Sequence, residues 1–313
     1  MKIKNIALSL TLYIVATNNC SAVDLLVPAY FYPSSNPQAN YWDEMTNALL
    51  HAHENHQNLN ITAIMNPNNG PSSAPNSDYA NAIHDFRAAG GKVVGYVYTC
   101  YGVSDCYVKN ETRGVEDVLA DVNTYTQFYP GDIDGIFLDE LSSTHDALGF
   151  YKNVTDPIKA AHPQWEIIGN AGIFPVDPDY FNQLTTIVTH EEASAPSGAL
   201  PQNNTDWLTA ADPGRQARLF YNVASEQEML ALLDESVKAK YVYFTDDDVV
   251  NSLGINDNNP WDQLPTYWNA EALAVANVSS VPVPSAVLLY LSGILGWIFP
   301  RKFLHRFSKS AAF

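Results

Sequence analysis

Positive charge is scarce in this chain. Its 313 residues hold 16 lysines and arginines against 34 aspartates and glutamates, a formal charge of −18. Six of the bases, Lys2, Lys4, Arg301, Lys302, Arg306 and Lys309, lie in the two ends, which contain no acid. Residues 23–280 therefore carry 10 bases and 34 acids, a formal charge of −24. Phosphate contacts need basic surface, so no nucleic-acid partner is expected. The acidity suits solubility, a cationic ligand or a divalent ion. Cysteine is as sparse, with three in all. Of these, Cys100 and Cys106 lie beyond the first 22 residues, and without neighbouring histidines they do not make a zinc site. In an oxidising compartment their spacing permits a disulfide closing the loop from Tyr101 to Asp105. Also missing are GxGxxG, a phosphate loop and a GxSxG elbow, so no cofactor is expected.

The ends have their own character. Residues 1–22 read as an export signal: Lys2 and Lys4 start it, Ile6 to Ala16 form an apolar core, and Cys20-Ser21-Ala22 offers small residues for cleavage before Val23. At the other end Val281-Pro282-Val283-Pro284-Ser285-Ala286 leads into an apolar stretch. The 17 residues from Val283 to Phe299 lack charge, and Arg301, Lys302 and Arg306 follow. That length is the short limit for a membrane span, and the basic cluster favours leaving its end in the cytoplasm. The segment 281–313 resembles a PEP-CTERM sorting signal in a Val-Pro-x-Pro-Ser-Ala variant. The resemblance implies processing by exosortase-type machinery, a C-terminal segment in the membrane and an exopolysaccharide setting.

The remaining 258 residues, 23–280, fit one α/β barrel domain. Eight strand-like apolar runs occur: Leu25–Tyr32, Ile61–Met65, Lys92–Tyr98, Ile133–Leu138, Trp165–Gly169, Thr186–Thr189, Ala217–Tyr221 and Tyr241–Phe244. Helical spacing of apolar residues marks Tyr41–His53, Asp78–Ala89, Val115–Phe128, Asp146–Ala161 and Glu226–Ala239. Alternation of this kind predicts a parallel sheet with helices outside, and eight units in this length predict closure as a single-domain (β/α)8 TIM barrel. The helix between the fifth and sixth strands is expected to be short, and a long loop, 194–214, displaces the next one.

Polar residues gather behind the runs. Asn66-Pro67-Asn68-Asn69-Gly70-Pro71 follows the second, Thr99-Cys100-Tyr101-Gly102 the third and Asp139-Glu140 the fourth. Asn170-Ala171-Gly172 follows the fifth, His190-Glu191-Glu192 the sixth and Asp246-Asp247-Asp248 the eighth. In a barrel these converge on one rim. Ile136, Phe137 and Leu138 read as a strand buried on both faces, and acids ending such a strand suggest that it opens onto a site. Aromatics with paired acids suit carbohydrate: an acid protonates the leaving oxygen and a carboxylate stabilises an oxocarbenium-like transition state. A metal-dependent hydrolase is the weaker reading, because of the histidines before the tail only His190 falls at a strand end.

These motifs resemble the spherulin-4-like glycoside hydrolases. The resemblance rests on Val27-Pro28-Ala29-Tyr30-Phe31-Tyr32-Pro33, Asn66 to Pro71, Val94-Gly95-Tyr96-Val97-Tyr98-Thr99, Asp134 to Glu140 and Val188-Thr189-His190-Glu191. It implies a (β/α)8 barrel that cleaves α-1,4-linked galactosamine or N-acetylgalactosamine polymers internally. Asp139, Glu140 and Glu191 match the family's proposed catalytic acids, although Glu192 beside Glu191 leaves that position open. Tyr98 stands where the family commonly has histidine, and Cys100 replaces a glycine. Tyr30, Asn66, Tyr98, Tyr101, Asn170 and Asp246 are the candidate substrate-binding residues. A non-catalytic exopolysaccharide-binding or matrix protein on the same barrel is the alternative.

Overall fold

In the computed structural model, the described residues are 23–34, 40–103, 105–106, 111–172, 177–194, 211–249 and 259–280. The expected export signal, the apolar tail and most of the loop 194–214 lie outside them. Among the described residues no helix is long and apolar enough to cross a membrane.

Eight parallel strands close into a barrel, each paired with its neighbours in sequence and the last with the first. They are β1 (Asp24–Ala29), β2 (Ile61–Met65), β3 (Lys92–Tyr98), β4 (Gly135–Asp139), β5 (Glu166–Asn170), β6 (Thr186–Ala193), β7 (Gln216–Tyr221) and β8 (Tyr241–Phe244). Strands buried on both faces need near-continuous apolar sequence, and all five residues of β2 are buried. The eight expected strands are these eight, with ends that differ by up to two residues and two larger differences of extent. β1 stops at Ala29 rather than Tyr32, and β6 runs on to Ala193, which draws His190, Glu191 and Glu192 into the sheet. A two-residue antiparallel ribbon, Asp105–Cys106 with Glu111–Thr112, sits in the loop after β3.

Among the described residues six α-helices surround the barrel: α1 (Tyr41–Glu54), α2 (Ser77–Ala88), α3 (Val115–Phe128), α4 (Leu148–Ala161), α5 (Glu226–Ser236) and α6 (Trp268–Ser280). α1 shows why the spacing was readable, since Trp42, Met45, Leu49 and Ala52 recur at three and four residues and are all buried. Several helices begin with acids, Asp43 and Glu44 in α1, Glu116 and Asp117 in α3, Glu226 and Glu228 in α5. These complement the positive helix N-terminus and place negative charge at the end of the barrel where strands give way to helices. Between β5 and β6 there is a 3-10 turn, Pro178–Asn182, in place of a full helix.

α6 was not foreseen. Its Glu271 interrupts the apolar pattern, yet it is fully buried and accepts the Phe244 N–H at 3.0 Å. The opposite end of the barrel is closed by polar bonds. Glu166 accepts from the Thr186 hydroxyl at 2.8 Å and the Tyr241 hydroxyl at 2.7 Å, and pairs with Lys240. The domain's two ends meet there as well, where Ser279 Oγ donates to the Val23 carbonyl at 2.7 Å.

Candidate active site

Asp139, the last residue of β4, lies at the mouth of the barrel. Its Oδ2 accepts the Tyr96 hydroxyl at 2.6 Å, and its Oδ1 accepts Asn170 Nδ2 at 2.9 Å. The same Asn170 nitrogen donates to Glu191 Oε2 at 2.7 Å. Two carboxylates from β4 and β6 are thus joined through one amide on β5. Burial pushes the Glu191 carboxyl up to about 7, and the nearby Asp139 charge adds to that rise, while bonds from Asn170 and the Trp261 indole oppose it. Burial also raises Asp139, against the hydrogen bonds from Tyr96, Glu140 N–H and Asn170. The outcome is a pair that holds a proton near neutrality, as acid–base chemistry requires.

Glu140 stands beside the pair with φ +51°, a left-handed backbone uncommon outside glycine. Its carbonyl accepts Tyr101 N–H at 2.7 Å and the Thr99 hydroxyl at 2.8 Å. Cys100 and Tyr101 are left-handed too, at φ +48° and +59°. A disulfide joins Cys100 to Cys106 with Cα atoms 5.7 Å apart, and both sulfurs lie within 4.8 Å of a Glu140 carboxylate oxygen. With the sulfurs bonded to each other, that trio offers no thiolate to a metal.

The remaining expected site residues divide in two. Tyr30 packs edge-on to Tyr96 at 5.5 Å, and its phenol is pushed well above its usual value by burial and then by Asp139 and Glu191. Tyr101 is exposed, and its phenol is raised by burial and then by the charges of Glu140, Asp139 and Glu191. Tyr30, Tyr101 and Asn170 therefore surround the acids. Tyr98 instead lies under the Arg113 guanidinium at 3.7 Å. Asn66 uses its Oδ1 to accept Gly70 N–H at 3.0 Å within its own turn. Asp246 accepts Thr266 N–H at 3.1 Å and the Thr266 hydroxyl, which ties down the entry to α6.

His190 is buried beside Phe220, 5.9 Å between rings, and burial lowers its pKa to about 4, with Arg218 adding to the effect. The ring is therefore neutral at neutral pH, and its Nδ1 lies 3.1 Å from the Thr189 hydroxyl. A separate group, His145, Asp177 and Asp179, could hold a metal ion: His145 Nδ1 is 3.2 Å from Asp177 and 3.9 Å from Asp179. It includes none of the three acids.

Three neighbours were missed from sequence. Tyr96 had a legible signal, since it sits two residues before Tyr98 on the same strand face. Tyr221 ends β7, and its phenol is raised by burial and then by Glu191. Trp261 packs at 6.0 Å against both Tyr221 and Tyr243, in a segment without periodicity.

Solved structures share this architecture. Sph3 of Aspergillus clavatus, determined in complex with GalNAc, superposes with a TM-score of 0.62 at 18% identity, over 82% of this chain and 98% of that one. The catalytic domain of a chitinase from Pyrococcus furiosus gives 0.50 at 10% identity, over 84% and 98%. At these identities the likeness is one of fold, a barrel used by glycoside hydrolases. In sequence, Spherulin-4 of Physarum polycephalum is 37% identical over 205 residues, covering 65% of this chain and 54% of that protein. The chain thus spans about half the length of that relative. The model of spherulation-specific family 4 matches residues 24–275, and the chain belongs to that family.

Proposed function

We propose that this protein is an exported, endo-acting glycoside hydrolase of α-1,4-linked galactosamine or N-acetylgalactosamine exopolysaccharide. The observation that carries the reading is the Asp139–Asn170–Glu191 bridge, with Glu191 held near neutrality at the mouth of the barrel. Protonated Glu191 gives its proton to the glycosidic oxygen as the bond to C1 breaks. Asp139, held by Tyr96 and Asn170, supplies negative charge to the oxocarbenium-like centre. Water then adds at C1, and its proton passes to a carboxylate; Glu140 and Glu191 share these acid and base duties. The GalNAc bound to Sph3 supports an amino sugar, and an acid-rich mouth suits the ammonium groups of a de-acetylated chain.

The apolar run in the sequence from Val283 to Phe299 supports an activity held at a membrane, where exosortase-type machinery would process the protein. Ser279 and Val23 meet at the closed end of the barrel, so a tail leaving Ser280 starts from the side opposite the acids. A tethered enzyme would then present its mouth to polymer away from the bilayer.

The test is reducing-end release from α-1,4-galactosamine polymers of graded acetylation by the purified chain, beside Glu140→Gln and Glu191→Gln. The wild type releases ends and each variant loses about 100-fold or more. Equal release by all three would sink the assignment. Tight polymer binding without product would instead favour the non-catalytic alternative.

A further inference from the structure

We propose that Asn170 is a positioning residue that clamps Asp139 to Glu191, and that it does not serve as a sugar ligand. Its kinetic consequences rest on the glycosidase reading above, and its geometry is that of the barrel mouth. Asn170 is the last residue of β5 and is 3% exposed. Its Oδ1 accepts the Gly172 N–H at 3.1 Å, which fixes which end of the amide faces the acids. A primary amide has two N–H donors. Here Nδ2 meets Asp139 Oδ1 at 2.9 Å and Glu191 Oε2 at 2.7 Å, so both are engaged and none is left for a hydroxyl. The backbone adds to the grip, because Asn170 O accepts Leu141 N–H at 2.7 Å just beyond Glu140.

The groups around the pair show why a clamp is needed. Asp139 faces Tyr96 from β3, Tyr30 from β1 and its own neighbour Glu140. Glu191 faces Tyr221 from β7, Trp261 from the loop before α6 and Tyr101 from the loop after β3. These neighbours are phenols, an indole and acids. Two desolvated carboxyls in such company repel each other when both are ionised. A neutral amide that donates to both holds them at one separation without adding charge. Gly172, at φ +61°, makes the turn that supplies the N–H on the other side of the amide.

The experiment compares the full chain with Asn170→Ala and Asn170→Asp. The aspartate keeps an acceptor for Gly172 N–H but lacks the two donors. With the clamp removed, kcat falls about 10- to 100-fold, the loss expected for hydrogen bonds to charged groups, while KM stays within about threefold. The alkaline limb of the pH profile also moves up by about one unit, because the lost bonds favoured ionised Glu191. A raised KM with kcat and the limb unmoved would make Asn170 a sugar ligand and overturn the clamp. The Glu191 carboxyl is titrated in parallel by NMR on protein carrying 13C-labelled glutamate, which needs no turnover. A midpoint higher in Asn170→Ala supports the clamp, and an unmoved midpoint overturns it. If wild type releases nothing from the polymer, the glycosidase reading fails, and the titration alone decides the clamp.

Discussion

Thr186 and Glu191 lie five residues apart on β6 and point to the same face. Thr186 Oγ1 donates to Glu166 and Glu191 accepts from Asn170, and Glu166 and Asn170 are four apart on the inner face of β5. Side chains alternate along a strand, so an odd separation needs an extra residue. Val188 pairs with Ala217 and His190 with Arg218, which leaves Thr189 unmatched as a bulge. Without the bulge His190 and Glu192 would face inward. With it, Glu191 does, and Glu192 goes to the outer side beside Phe220, its partner in register. The expected outcome is asymmetric: Glu191→Gln abolishes reducing-end release, whereas Glu192→Gln keeps activity within about threefold. Comparable losses in both would show that the bulge does not select between the two acids.

The proton that would suit Glu191 to the proposed acid role also sets a stability cost. Its carboxyl is raised to about 7 from 4.5, so the folded state binds more protons than the unfolded state between those values. Stability contributed by protonated Glu191 is present in full below about 4.5 and is lost as pH rises through about 7. Glu191→Gln removes the ionisable group. At pH 8 the variant is expected to be more stable than wild type by roughly 1–3 kcal/mol, with little difference at pH 4. Paired denaturant melts at the two pH values check this. A gain of equal size at both would assign the effect to packing.

The barrel was legible because its strands are buried on both faces and its helices on one, two patterns that a sequence displays directly. Val115–Phe128 was bounded to the residue, and Asp139 announced itself as a charge ending an apolar run. What stayed hidden depends on geometry across the chain. A bulge at Thr189 leaves no compositional trace, so Glu191 and Glu192 could not be told apart. Glu271 broke the pattern of α6 because its partner, Phe244 N–H, comes from a distant strand. The contacts of Asn66 and Asp246 were also hidden, since Asn66 accepts Gly70 N–H within its own turn and Asp246 accepts Thr266 N–H from 20 residues on.

The disulfide bears on the site through backbone conformation. Cys100, Tyr101 and Glu140 all hold left-handed φ, at about 1–2 kcal/mol per residue, and Tyr101 N–H bonds to Glu140 O. Closing a loop this short contributes about 2 kcal/mol by restricting the unfolded chain. Cys100→Ser with Cys106→Ser should lower stability by about that amount and also reduce kcat, since Tyr101 is released from the mouth. Cys100→Gly with Cys106→Ser should retain more activity, because glycine adopts positive φ without penalty. Rates and melting temperatures of the two double variants test this; equal kcat in both would mean that the left-handed turn does not matter to turnover.

Gly135 opens β4, five residues before Glu140, and no side chain fits there. A Cβ on Gly135 would sit 2.2 Å from the Glu166 carbonyl oxygen and 2.9 Å from the Glu166 nitrogen, both backbone atoms of the paired strand. Backbone in a closed barrel cannot turn aside as a flexible side chain would, so the strands must separate. Gly135→Ala is expected to cost about 3 kcal/mol, the upper range for overpacking, and to lower the melting temperature by roughly 10 °C. Gly149 in α4 is the control, because a Cβ there meets nothing within 4 Å. Gly149→Ala should leave the protein as stable or add up to about 1 kcal/mol, through helix propensity. Matching melting temperatures for the two variants would show that β4 and β5 can part at Gly135, and with them the strand ends that bring Asp139 to Asn170.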